Sequence, residues 1–112
     1  MIDKRTAQHY LWGDGCDGWH FVQTVTLSVI QECMPPNTAE VRHYHRQADQ
    51  FFYVLQGILL VAVGRSEFEL SAGQGVHVRA GEIHQVHNRS AGSAEVLVIS
   101  NPPSHGDRVS AD

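Results

Sequence analysis

The sequence predicts an all-β chain, an antiparallel sandwich or barrel, and two observations carry that expectation. Short segments rich in Val, Ile, Phe and Tyr recur at close, regular spacing, and turn-forming residues separate them. No stretch shows the apolar period of a long amphipathic helix. The expected strands are residues 28–34, 40–45, 50–55, 58–63, 67–70, 76–78, 84–88 and 95–100. Between them lie Pro35-Pro36-Asn37, Gly57, Gly64, Ala72-Gly73, Ala80-Gly81 and Ser90-Ala91-Gly92, each with residues that favour tight turns. Many short strands joined in this way fold as a closed or two-layered antiparallel sheet.

The ends of the chain read differently from the middle. Residues 1–22 hold both tryptophans and a Gly-Asp-Gly-Cys-Asp-Gly loop, and are expected to pack on the barrel. Residues 102–112 carry two prolines among polar side chains and read as an exposed tail. With 112 residues and 12.4 kDa, the whole of 1–112 is expected to be a single domain.

Composition narrows the function. Formal net charge is −4 and the eight Lys and Arg residues are scattered, so neither a nucleic acid nor an anionic membrane is an expected partner. The longest apolar run, residues 58–63, has the length of a strand rather than a membrane span. No apolar leader follows Met1, and Cys16 and Cys33 read as free thiols, which together suggest a cytoplasmic protein.

Strand parity exposes a second apolar surface. In 50–55, Gln50, Phe52 and Val54 share one face while Phe51, Tyr53 and Leu55 share the other. In 95–100, Val96 and Val98 oppose Leu97 and Ile99. Strands apolar on both faces are covered on both sides. A second copy of the chain, giving a homodimer, is the expected cover, with residues 1–22 as the competing one.

Histidine is the residue that points to chemistry: there are eight, as many as Lys and Arg together. In His43-Tyr44-His45 the spacing of two puts both imidazoles on one face of a strand, where they can grip one ion. Gln50 begins the next strand and His84 begins another, so a barrel that folds these strands together brings His43, His45, Gln50 and His84 to one place. Asp49 and His87 have the wrong parity to join them, and His77 shares that set only if its flanking valines face outward. No acid–base carboxylate stands out among the pocket-facing positions.

These residues resemble the two motifs of the cupin superfamily. The first motif is matched by His43-Tyr44-His45, four residues, Gln50, six residues, Gly57. The second is matched by Gly73, five residues, Arg79-Ala80-Gly81, two residues, His84, three residues, Asn88. The family's acidic ligand is Gln50 here, and its proline is Arg79. The resemblance implies a jelly-roll barrel holding one divalent transition metal, Ni, Zn, Fe, Mn or Cu, on His43, His45, Gln50 and His84. It implies a small-molecule ligand or substrate. The function expected is that of a metal-dependent enzyme on a small oxygenated substrate, of the sugar-acid isomerase or lyase type. A non-catalytic binding barrel and an iron-dependent dioxygenase are the alternatives.

Overall fold

The structure, a computed structural model, describes residues 1–111. Twelve strands form it: β1 (Gln8–Trp12), β2 (Cys16–Gln23), β3 (Ser28–Met34), β4 (Thr38–Ala39), β5 (His43–His45), β6 (Asp49–Gln56), β7 (Ile58–Val63), β8 (Ser66–Ser71), β9 (Gly75–Val78), β10 (His84–Asn88), β11 (Ala94–Asn101) and β12 (Arg108–Ser110). They build two facing sheets, ordered β1-β2-β3-β11-β6-β9 and β12-β5-β10-β7-β8, with β4 paired to β10. All pairings are antiparallel. The fold is the all-β jelly roll the sequence predicts.

The alternation read from the sequence sets the interior. Met34, Phe52, Val54, Leu59, Val61, Val78, Val86, Val96 and Val98 are buried between the sheets. On β6 the odd-numbered partners turn outward, leaving Phe51 and Leu55 exposed. Gly57 makes the tight turn from β6 to β7 with φ of 85°. A Cβ there would lie 2.5 Å from the Ser93 carbonyl oxygen, so both conformation and space call for glycine.

Two expectations need correction. Of the strand expected at 40–45 only His43–His45 (β5) forms; residues 40–42 are not strand, and the short β4 precedes them. Glu40 accounts for the break: its amide donates to the Val86 carbonyl (3.0 Å), while its side-chain Oε1 accepts from the Val86 amide (3.1 Å). The carboxylate thus takes the place of a ladder carbonyl. The segment 1–22 meets the barrel through strand pairing, with Cys16 and Trp12 packed at its core and Lys4 reaching Glu95 of β11. Its β1–β2 hairpin extends one sheet at the edge of β3, because His20, Trp19 and Gly18 find partners in Ile30, Gln31 and Glu32. The tail is not a free extension. β12 pairs with β5, and the Asp107 carboxylate accepts from the amides of Arg46 (3.1 Å), Gln47 (2.9 Å) and Ala48 (3.0 Å). Of the expected tail, Asp112 lies outside the described residues.

Candidate metal centre

Two neighbouring strands bring the histidines together. β5 supplies His43 and His45, and β10 supplies His84, whose backbone stands opposite His43. All three side chains are buried, and a ligand atom from each lies within 4.8 Å of the others. Ring centroids are 4.9 Å apart for His43 and His45, 4.4 Å for His43 and His84, and 5.5 Å for His45 and His84. Buried imidazoles this close cannot all carry charge.

The hydrogen bonds of two of them fix which nitrogen is free. His43 Nδ1 is 2.6 Å from the Val41 carbonyl and His84 Nδ1 is 3.0 Å from the Glu82 carbonyl, so in each ring Nδ1 donates. That tautomer leaves Nε2 with its lone pair exposed for coordination. His84 Nε2 is buried with no hydrogen-bond partner. Burial pushes the His43 imidazole down to about 4 and lowers His45 and His84 as well. The three rings are therefore neutral, the state in which imidazole binds a metal.

Gln50 stands on β6 in register with Ser100 of β11 and lines the same cavity as His43 and His45. Its amide nitrogen donates to Ser100 Oγ (3.0 Å), and its Oε1 is buried without a partner. A buried amide oxygen left without a donor is costly in a folded protein, so this orphan, like His84 Nε2, suits a cation. The residues present fit a divalent metal: unpartnered lone pairs, neutral rings, and no cationic side chain among the ligating set.

The other residues singled out in the sequence fall elsewhere. Asp49 is exposed and accepts from the Ala80 amide (2.8 Å), and His77 faces outward beside it. Arg79 is exposed, in keeping with a surface role. His87, of the wrong parity for the set, is buried with Nε2 3.4 Å from Glu67 Oε2 and has no part in the cluster.

The cavity beside the histidines has a volume of about 310 Å³. Its lining overturns the expectation that no carboxylate faces the pocket: Glu32 and Glu40 both do, with Tyr10 and Trp12. Burial raises Glu32 to about 7 and Glu40 to about 8, the charge of Glu32 adding to the second. Glu32 was legible in principle. In the strand 28–34 it shares a face with Ile30 and Met34, and a carboxyl between two inward apolar residues is an anomaly. The strap that ends in β12 also contributes, placing His105 and Arg108 on the wall. Nothing local in the sequence marks those two.

The family model for the cupin domain matches residues 30–100. The chain belongs to the cupin superfamily. It is similar to the tetracenomycin polyketide synthase protein TcmJ of Streptomyces glaucescens, with 29% identity over 69 residues. That match takes in 62% of this chain but 46% of the other, so the chain spans less than half of that protein. Among solved structures, TT1209 from Thermus thermophilus superposes with a TM-score of 0.79 at 29% identity, covering 91% of this cupin and 96% of that chain. A sugar phosphate isomerase of the cupin superfamily from Silicibacter pomeroyi gives a TM-score of 0.82 at 22% identity, over 92% and 76% of the two chains, a likeness of fold. No helix among the described residues is long and apolar enough to cross a membrane.

Proposed function

We propose that this cupin is a metal-dependent enzyme acting on a small oxygenated substrate, of the sugar-acid isomerase or lyase type. Its metal ligands are His43, His45, His84 and the amide oxygen of Gln50. The observation that carries this reading is the pair of buried, unpartnered lone pairs, His84 Nε2 and Gln50 Oε1, beside a cavity lined with carboxyl, phenol and guanidinium groups. Three neutral imidazoles and a neutral amide leave a bound dication its full charge with which to polarise a substrate oxygen. The protein's own part is to fix the tautomers of His43 and His84 through backbone carbonyls and to hold Gln50 through Ser100. The sugar isomerase among its fold neighbours is in keeping with this class.

The test is elemental analysis of protein purified without chelators, followed by turnover on a panel of uronates, diketones and thiols. One equivalent of a transition metal and turnover lost on metal removal are expected. Full metal content with no turnover on any member would leave a binding barrel instead.

The same proposal extends to assembly as a homodimer. Phe51 and Leu55 are exposed, Phe51 stacks with Tyr53 at 6.1 Å, and the β1–β2 hairpin sits at the sheet edge beyond β3 rather than over them. That placement removes the hairpin as a competing cover for this part of the sheet. A monomeric mass by light scattering at micromolar concentration would refute the dimer.

A further inference from the structure

One row of backbone partners crosses three strands at the end of the cavity nearest the N-terminal hairpin. Tyr10 of β1 stands opposite Gly18 of β2, and Gly18 stands opposite Glu32 of β3. The Tyr10 ring leans over Gly18 so closely that a Cβ there would lie 2.2 Å from its Cζ. The missing side chain is what lets the phenol reach Glu32, with Oη 3.4 Å from Oε2. Glu32 has no salt-bridge partner among the described residues. It lines the same cavity as Gln50, whose Oε1 is buried and unpartnered. A carboxyl held inward by one long hydrogen bond does little for the fold and is open to a ligand.

We propose that Glu32, positioned by Tyr10, is the acid–base residue of this cavity, acting on a substrate carbon next to a carbonyl. The assignment rests on the enzyme reading above, and it supplies the proton-transfer group that an isomerase or lyase needs. The Glu32 carboxylate takes the proton from the carbon. The C–H electron pair moves into the bond to the carbonyl carbon, and the carbonyl π pair moves onto oxygen to give the enolate. Where the deprotonated carbon carries a hydroxyl, that hydroxyl's proton passes to the former carbonyl oxygen, and return of the proton from the Glu32 carboxylic acid to the former carbonyl carbon completes the isomerisation and restores the carboxylate; return to the original carbon gives exchange alone. An α-hydroxy or α-keto acid of sugar size is the substrate class, since its adjacent oxygens leave a neighbouring C–H toward Glu32.

The groups around Glu32 are Tyr10 on β1, Cys16 on β2 and Glu40 before β5, with His105 and Arg108 on the same cavity wall. Burial raises the Glu32 carboxyl to about 7, and the hydrogen bond from Tyr10 opposes that rise. This range suits a group that must both accept and give a proton near neutrality. Losing the phenol hydroxyl therefore raises Glu32 further and moves the acidic limb of the exchange profile, below which the carboxylate is protonated, to higher pH.

The experiment follows loss of the C–H proton signal of 2-keto-D-gluconate and of 2-oxobutanoate in deuterated buffer, with metal content measured on every sample. Metal-loaded wild type should wash in deuterium. Glu32→Gln should slow exchange by about 100-fold or more at unchanged metal content. Tyr10→Phe should keep the exchange but displace its pH profile upward, and Gly18→Ala should copy Tyr10→Phe by pushing the ring away. Exchange at the wild-type rate in Glu32→Gln overturns the assignment and leaves the enzyme reading intact. Metal-replete wild type that exchanges neither compound overturns the assignment too, while the metal site stands. Wild type without metal removes the reading beneath it. Should Glu32→Gln not fold, an unshifted pH profile in Tyr10→Phe serves as the refuting result.

Discussion

The two walls of the cavity shift their titratable groups toward the neutral form from opposite directions. On the β5–β10 wall, burial lowers the imidazoles, His43 to about 4. On the wall of β3 and the segment before β5, burial raises the carboxyls, Glu32 to about 7 and Glu40 to about 8. One environment produces both shifts, because a poorly hydrated cavity disfavours charge of either sign. What differs is how each wall satisfies its polar atoms. His43 and His84 each have one nitrogen placed by a backbone carbonyl and one left over. Glu32 has a single phenol at hydrogen-bond limit. The first wall reads as a site for a cation and the second as a site for a proton.

The largest expected effect breaks the histidine wall. His84→Ala should abolish stoichiometric metal binding, and undiminished metal by elemental analysis would refute the centre as drawn. Gln50→Glu sharpens it instead. A charged oxygen in place of a neutral one should raise metal affinity roughly ten-fold while weakening polarisation of a bound substrate oxygen. Unchanged affinity with a lower melting temperature would mean that Gln50 is a polar core residue and not a ligand.

A smaller loss is expected from Asp107→Ala, which removes the acceptor for three amides between His45 and Gln50. Metal affinity should fall by about ten-fold, as expected when a support behind the ligands is lost. Those amides, Gln47 first, hold the Asp107 carboxyl below its usual range. The clamp is therefore complete above the ordinary aspartate pKa and fails only as pH falls below it. Titration of metal release in wild type and variant checks both statements.

The smallest effect concerns stability on the carboxyl wall. The folded chain holds the Glu32 proton more tightly than the unfolded chain, so stability declines as pH rises from the ordinary 4.5 toward about 7. Glu32→Gln has no such decline, and its advantage in melting temperature should widen by a few degrees across that interval. His43 has the opposite sign: with its pKa lowered from 6.5 to about 4, its share of stability is present above the first value and lost toward the second. Thermal unfolding of the metal-free protein at several pH values separates the two. Identical pH slopes for wild type and Glu32→Gln would show that Glu32 does not titrate abnormally.

The histidine wall was legible in the sequence because its information is local. A spacing of two in a strand fixes a shared face, and His43, His45, Gln50 and Gly57 follow one another closely in the chain, although β5 and β6 end in different sheets; His84 joined them only through the motif the sequence resembles. The strands were legible for the same reason, since alternation and turn residues act over a few positions. Glu32 was half legible: parity puts it inward between Ile30 and Met34, but its partner Tyr10 lies 22 residues away. The strap was hidden, because nothing near Asp107 announces that its carboxylate will meet the amides of 46–48.

The sequence by itself determined the all-β class and the faces of the central strands, and its motifs pointed to the histidines that cluster. The first two follow from side-chain period and turn chemistry over a few positions, the third from the spacing of the motifs the sequence resembles. Only the tertiary structure decided that the head is an added hairpin, that the tail supplies part of the cavity wall, and that Tyr10 crosses Gly18 to Glu32. Those three depend on register between strands far apart in the chain. Such register is fixed by backbone pairing across the whole sheet, which no short window of residues contains.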